Sequence, residues 1–175
     1  MISLCDLGGL WRRTLIAWPD GRTDTTSEVF WMQGPRRYAD LRIATGRPAA
    51  DVACLRDLDW PMLRFMARQE GFFGELPVSD SVGYWDRVFD YRPDTGAADC
   101  GALVMDGNIL IERGIEQHYT ELWSRSCAGD DAMTLALQEE TGALGCLVVA
   151  GDAFIYARGR TTALPRGATL NELME

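Results

Sequence analysis

Lysine is absent: all 17 basic residues are arginine. Without an ε-amine the chain cannot form a Schiff base, which excludes pyridoxal and class I aldolase chemistry, and no P-loop lysine exists. His118 is the sole histidine, which excludes a multi-histidine metal centre and a histidine-pair mechanism. The five cysteines (5, 54, 100, 127 and 146) are odd in number, scattered and free of any Cys-x-x-Cys pair. They read as reduced thiols, not as a disulfide or zinc framework. GxSxG, a glycine-rich phosphate loop and a carboxylate-rich metal motif are all missing. Asp106-Gly107-Asn108 lacks the acidic residues that would continue an EF-hand. No cofactor and no metal are therefore expected. No apolar run approaches the roughly 18 residues that span a bilayer. Residues 1–9 show neither a basic nor an apolar leader segment, so the expected location is cytoplasmic.

What remains is an acidic chain of 175 residues, 47% hydrophobic and 25% charged, with net charge −9. That length and composition suit one domain over 1–175 with a buried core. The negative charge disfavours nucleic acid and membrane surfaces as partners.

Stretches of period two, separated by Gly, Pro, Asp and Asn turns, run along the whole chain and predict an all-β domain. The strands fall at 10–18, 26–33, 36–44, 71–79, 82–91, 99–106, 108–115, 117–126, 132–139, 144–150 and 153–160. Trp18-Pro19-Asp20-Gly21 suits a type I turn followed by a left-handed bulge, and sets Arg12 opposite Glu28. Asp106-Gly107 reads as a two-residue turn pairing Val104 with Ile109 and Ala102 with Ile111. Gly151-Asp152 pairs Val149 with Phe154, Leu147 with Tyr156 and Gly145 with Arg158. Residues 46–71 form the one break, where Asp59 caps a short helix that carries Met62, Leu63, Phe65 and Met66 and stops at Gly71. That helix packs on the sheet, or serves as a lid over a ligand entrance. A further helical turn is expected over 169–174. Hairpin after hairpin predicts a single antiparallel up-and-down barrel of about ten strands, with the short helix between its third and fourth strands. A two-sheet β-sandwich is the alternative.

Gly9-Leu10-Trp11 at the start of the first strand, with an Arg on the last, resembles the signature of lipocalin and calycin barrels. In those families the Trp closes one barrel end and the Arg stacks across it. The resemblance implies that Arg158 or Arg160 is that partner and that the first strand lies beside the last. Leu10-Trp11-Arg12-Arg13, Thr23 to Gln33, Tyr38 to Arg42 and Ala67 to Phe72 are also similar to a bacterial lipocalin-like family without assigned function. That likeness transfers no catalytic residue.

Several strands are apolar on both faces, which leaves the inward faces open. Trp85/Arg87/Phe89/Tyr91 is the better lumen set of strand 82–91, the alternative being Tyr84/Asp86/Val88/Asp90. Tyr38/Asp40/Arg42 stand against Ala39/Leu41/Ile43, and Tyr119/Glu121/Trp123/Arg125 against His118/Thr120/Leu122. Phe154/Tyr156/Arg158 share another face. If these sets point inward, the lumen holds Trp11, Trp31, Trp85, Trp123 and Tyr156, with Arg87 and Arg158 as cations and Glu121 as carboxylate. Aromatic walls with Arg forks suit a small, partly apolar organic anion, and a non-catalytic binding barrel is the first reading. A lyase, isomerase or cyclase using Glu121 or Asp86 as acid or base is the second. His118, a lone histidine, is the other catalytic candidate. An interaction module, such as a homodimer, is the third.

Overall fold

The computed structural model describes residues 1–49 and 51–174. It is all-β and antiparallel apart from two short helices and two single-turn 3-10 segments. The strands are Gly9–Ala17 (β1), Thr23–Asp24 (β2), Glu28–Gln33 (β3), Arg37–Ile43 (β4), Glu70–Glu75 (β5), Val78–Ser79 (β6), Val82–Tyr84 (β7), Asp86–Asp90 (β8), Cys100–Asp106 (β9), Ile109–Gly114 (β10), Thr120–Ala128 (β11), Met133–Gln138 (β12), Leu144–Ala150 (β13) and Ala153–Arg158 (β14). Helix α1, Trp60–Met66, lies between β4 and β5, with the Asp59 side chain accepting from the Met62 amide at 2.9 Å. It ends at Met66, before the expected stop at Gly71. Helix α2 is Leu170–Met174.

The large sheet runs β6-β7-β9-β10-β11-β1-β3-β4-β5-β8, with β2 hung on β1. Its two ends are the same stretch of chain. β7 and β8 are consecutive through Trp85; β7 pairs with β9 and β8 with β5. The sheet therefore curls into a barrel whose edges meet on the run 82–90. Up to Trp85, whose amide donates to the Asp99 carbonyl at 2.9 Å, that run is bonded towards β9. Past it, β8 pairs only with β5, and a cleft opens beside residues 91–99. The first strand does not lie beside the last, 153–160, as expected: β1 pairs instead with β11, from Gly9 opposite Ala128 to Ala17 opposite Thr120. Gly9 sits at φ +112°, where a Cβ would lie 2.1 Å from the Cys127 carbonyl oxygen; only glycine starts a strand in that position.

The barrel does not take up all the strands. β12, β13 and β14 form a separate three-stranded sheet outside it. The reason is geometric. β1 is bonded to β11 on one side and to β3 on the other, so the first strand offers no edge to a later strand. One face of the small sheet, with Cys146, Val148, Ala150 and Ile155, packs on the outward residues Met32, Ala39, Phe73 and Phe89 of the barrel. The arrangement thus joins the barrel to a local sandwich. The other face presents Met133 opposite Val149 opposite Phe154, and Leu135 opposite Leu147 opposite Tyr156.

Registers follow the expected parity with two corrections. β2 lengthens the first connection, so Arg12 lies opposite Phe30, with its guanidinium 6.0 Å from that ring, and not opposite Glu28. The β9–β10 turn lies one residue later than expected, pairing Asp106 with Ile109, Val104 with Ile111 and Ala102 with Arg113. Gly107 there takes the left-handed conformation, φ 59°. The 151–152 hairpin has the expected pairs.

Candidate functional site

Period two sends alternate side chains into the barrel. At one end they are apolar. Trp11 stacks on Trp31 at 5.9 Å, and Trp31 meets Trp123 at 5.7 Å and Trp85 at 6.0 Å edge to face. Leu7, Leu76, Leu103 and Leu110 fill the space between. The 3-10 turn Leu4–Leu7 plugs this end, and its Leu7 carbonyl accepts from Trp11 Nε1 at 2.8 Å. Arg125 of β11 lies over the Trp11 ring at 4.4 Å and donates to the Asp6 carbonyl. It occupies the place expected of Arg158 or Arg160, because the last strand of the barrel is β11, not β14.

The other half of the barrel is polar. β1 supplies Arg13, β4 Asp40 and Arg42, β10 Glu112, and β11 Glu121; Tyr119 lies just before β11. Together with Asp24, Glu70, Arg87 and Asp99, several of these border a cavity of about 340 Å3 at the mouth. A larger cleft, about 820 Å3, lies under residues 91–99 and shares Glu70, Arg87, Asp99 and Gln117 with the mouth. The lumen therefore has an end opening and a side opening, with the Arg87–Asp99 pair between them.

Each of these inward guanidiniums is held by carboxylates. Arg13 bonds Glu121 at 2.6 Å and lies 3.5 Å from Asp24. Arg42 bonds Asp40 at 2.8 Å and covers the Phe72 ring from 5.0 Å. Arg87 reaches Asp90 and Asp99, both at 2.5 Å, and its guanidinium also lies over the Phe72 ring, 3.7 Å from the centroid. Burial works against the charge on Arg42, but Asp40 and Glu121 outweigh it and its pKa is raised. The same balance, with Asp99 and Asp90, raises that of Arg87.

The carboxyls behave differently from one another. Burial lifts Asp40 to about 6 against the pull of Arg42. Glu112 stands opposite Glu121 across the β10–β11 ladder, both buried. Burial first, and then the Glu121 charge, raise Glu112 well above the ordinary carboxylate range. Its two oxygens lie 2.7 Å from Tyr119 Oη and 3.1 Å from Trp123 Nε1. The Tyr119 hydroxyl donates to one Glu112 oxygen and the Trp123 indole N–H donates to the other. Burial, then Glu112, raise the Tyr119 phenol and keep it protonated. Tyr38 is fully buried, and its hydroxyl has no hydrogen-bond partner among the described residues; the charges acting on it are Arg87, Asp40, Asp99 and Arg42.

Of the residues singled out from sequence, Trp31, Trp85, Trp123, Arg87 and Glu121 come together inside the barrel. Tyr156 and Arg158 do not. They belong to the small sheet and point away from the barrel, with Arg158 bound to Glu139 at 2.5 Å on the surface. Phe89 also turns outward, onto Phe73, because a bulge between Phe73 and Gly74 shifts the β5–β8 register. Asp86 is exposed on β8, and His118 is exposed at the rim beside Trp18 and Arg113. Glu112 was not a sequence candidate. Its strand is apolar on both faces, so only the pairing with β11 marks it. Comparison with family models, curated proteins and solved structures gave no match.

Proposed function

We propose that this chain is a lipocalin-type binding barrel whose polar half takes a small molecule carrying a protonated nitrogen. The observation that carries the reading is that Arg13, Arg42 and Arg87, the guanidiniums of the polar half-lumen, are already matched by Glu121, Asp40 and Asp99. An anion would have to displace Asp99 or Glu121 from its arginine. A cation needs no such displacement and gains the net charge of −9 at long range. A cavity of about 340 Å3 is at the small end of the ligand-site range.

The test is a thermal-shift series with tryptamine and indole-3-acetate, an aromatic amine and acid of matched size. Tryptamine raises the melting midpoint of the wild type, and Glu121→Gln reduces that shift. A rise with indole-3-acetate alone, abolished by Arg87→Leu, would return the ligand to the anion class. A second reading, proton transfer on the bound molecule, is favoured by the Glu112–Tyr119 contact. In that case the acid is Glu112 acting through Tyr119, not Asp86 or His118.

A further inference from the structure

The outward face of the small sheet has no cover. Phe154 is 66% exposed and Tyr156 52%, and Met133, Leu135 and Leu137 beside them are each more than two-fifths exposed. These five side chains lie in adjacent register rows across three strands. Their free surface is on the order of 500 Å2, in the upper part of the range for the largest patch of an ordinary monomer, a patch that is often functional. The groove beside β14, about 490 Å3 and bordered by Leu41, Phe89 and Tyr91, adjoins Phe154 and Tyr156 and extends the surface. Beyond β14, Arg160 borders the groove and donates to the Asp90 and Tyr91 carbonyls, and Arg166 pairs with Asp94 at 3.4 Å.

We propose that this face is a homodimer interface, occupied by a second copy of the same chain across a twofold axis. Area comes first. A standard interface takes about 800 Å2 from each partner, which the face and its adjoining groove together approach. Charge is the second argument. Two chains of net charge −9 repel over most of their surfaces. Across these rows the one charged side chain is Arg158, neutralised by Glu139 at 2.5 Å. A twofold contact must also be self-complementary. A flat grid of Leu, Met, Phe and Tyr meets its own image without burying an unmatched charge. The groove shares Glu70 with the barrel mouth, whose other lining residues lie off this face.

Sedimentation velocity of the full chain between about 1 and about 100 µM, a range that brackets micromolar association, tests the assignment. The wild type is expected at twice the chain mass in the upper part of the range. Leu135→Glu and Phe154→Glu are each expected to halve that mass while keeping the far-UV circular dichroism of the wild type. Hydrogen exchange on the wild type provides a reading that needs no variant: amides of β12 and β14 slow as concentration rises, and those of β9 do not. A wild type monomeric at every concentration, with exchange independent of concentration, overturns the proposal. So do glutamate variants that fold and remain dimeric.

Discussion

Glu112 and Glu121 face each other across a ladder inside the barrel, yet only Glu121 has an arginine. Like charges opposite one another destabilise a sheet, and here the conflict is resolved by protonating one of them. The two are therefore unequal under substitution. Glu112→Gln mimics the neutral acid and keeps both contacts, so unfolding free energy at pH 7 should stay within about 1 kcal/mol of wild type or rise. Glu121→Gln leaves Arg13 without its nearest counter-charge and should cost about 3–5 kcal/mol. Urea denaturation of the two variants checks the asymmetry, and equal losses would refute it.

Asp40 gives a pH dependence of definite sign. Its folded value, about 6, lies above its ordinary 3.8. Between those limits the folded state holds a proton that the unfolded state has released, so stability falls as pH rises through the window and then levels off. The size is about 3 kcal/mol as an upper bound. Glu112 adds a fall of the same sign, starting near its own ordinary value. Denaturation midpoints from pH 4 to 7 should decline in the wild type and decline less in Asp40→Asn.

Trp11 is the plug of the apolar end, stacked between Trp31 and Arg125 and bonded to the Leu7 carbonyl. Trp11→Ala should cost about 3–5 kcal/mol. Arg125→Leu should cost less, about 1–2 kcal/mol, since it removes a cation over a ring and one bond to Asp6. Arg158→Leu, which loses an exposed pair, should leave the midpoint close to that of the wild type. Thermal midpoints that order these three differently would deny Arg125 its place as the cation capping Trp11.

Tyr38→Phe should separate stability from binding. Removing a buried hydroxyl that has no partner stabilises the free protein by about 1 kcal/mol or leaves it unchanged. If that hydroxyl meets the ligand, the same variant shows a smaller tryptamine-induced rise in midpoint. A variant less stable than wild type with an unaltered tryptamine response would contradict both parts.

Strand positions and the alternation along them were legible because turn chemistry and period two are local. The pairs around Gly151-Asp152 needed nothing beyond neighbouring residues, whereas which face of 117–126 turns inward depends on the strands it pairs with. The division between the barrel and the small sheet was not legible, because 144–150 and 153–158 alternate like barrel strands. What excludes them is the occupancy of both edges of β1, a relation between distant segments. The same cause misplaced Tyr156 and Arg158, and drew the partner of Trp11 from the wrong strand. Arg12 slipped from Glu28 to Phe30 because the two residues of β2 take up chain that a tight turn would not. Glu112 stayed hidden since Ile109, Leu110 and Ile111 give no preferred face.

The pairing of β1 with β11 also sets a timetable. Gly9 cannot meet Ala128 until nearly three-quarters of the chain exists. At about 5–20 residues per second of synthesis, β1 keeps one bare edge for on the order of ten seconds. Closing a loop of that span also slows refolding, because its entropy is lost before the ladder is gained. The hairpins of β12 to β14 carry no such delay, as each strand meets the next within a few residues. A nascent chain of this protein is most open to mispairing at its N-terminal strand, and becomes safe from it only when residues 120–128 arrive.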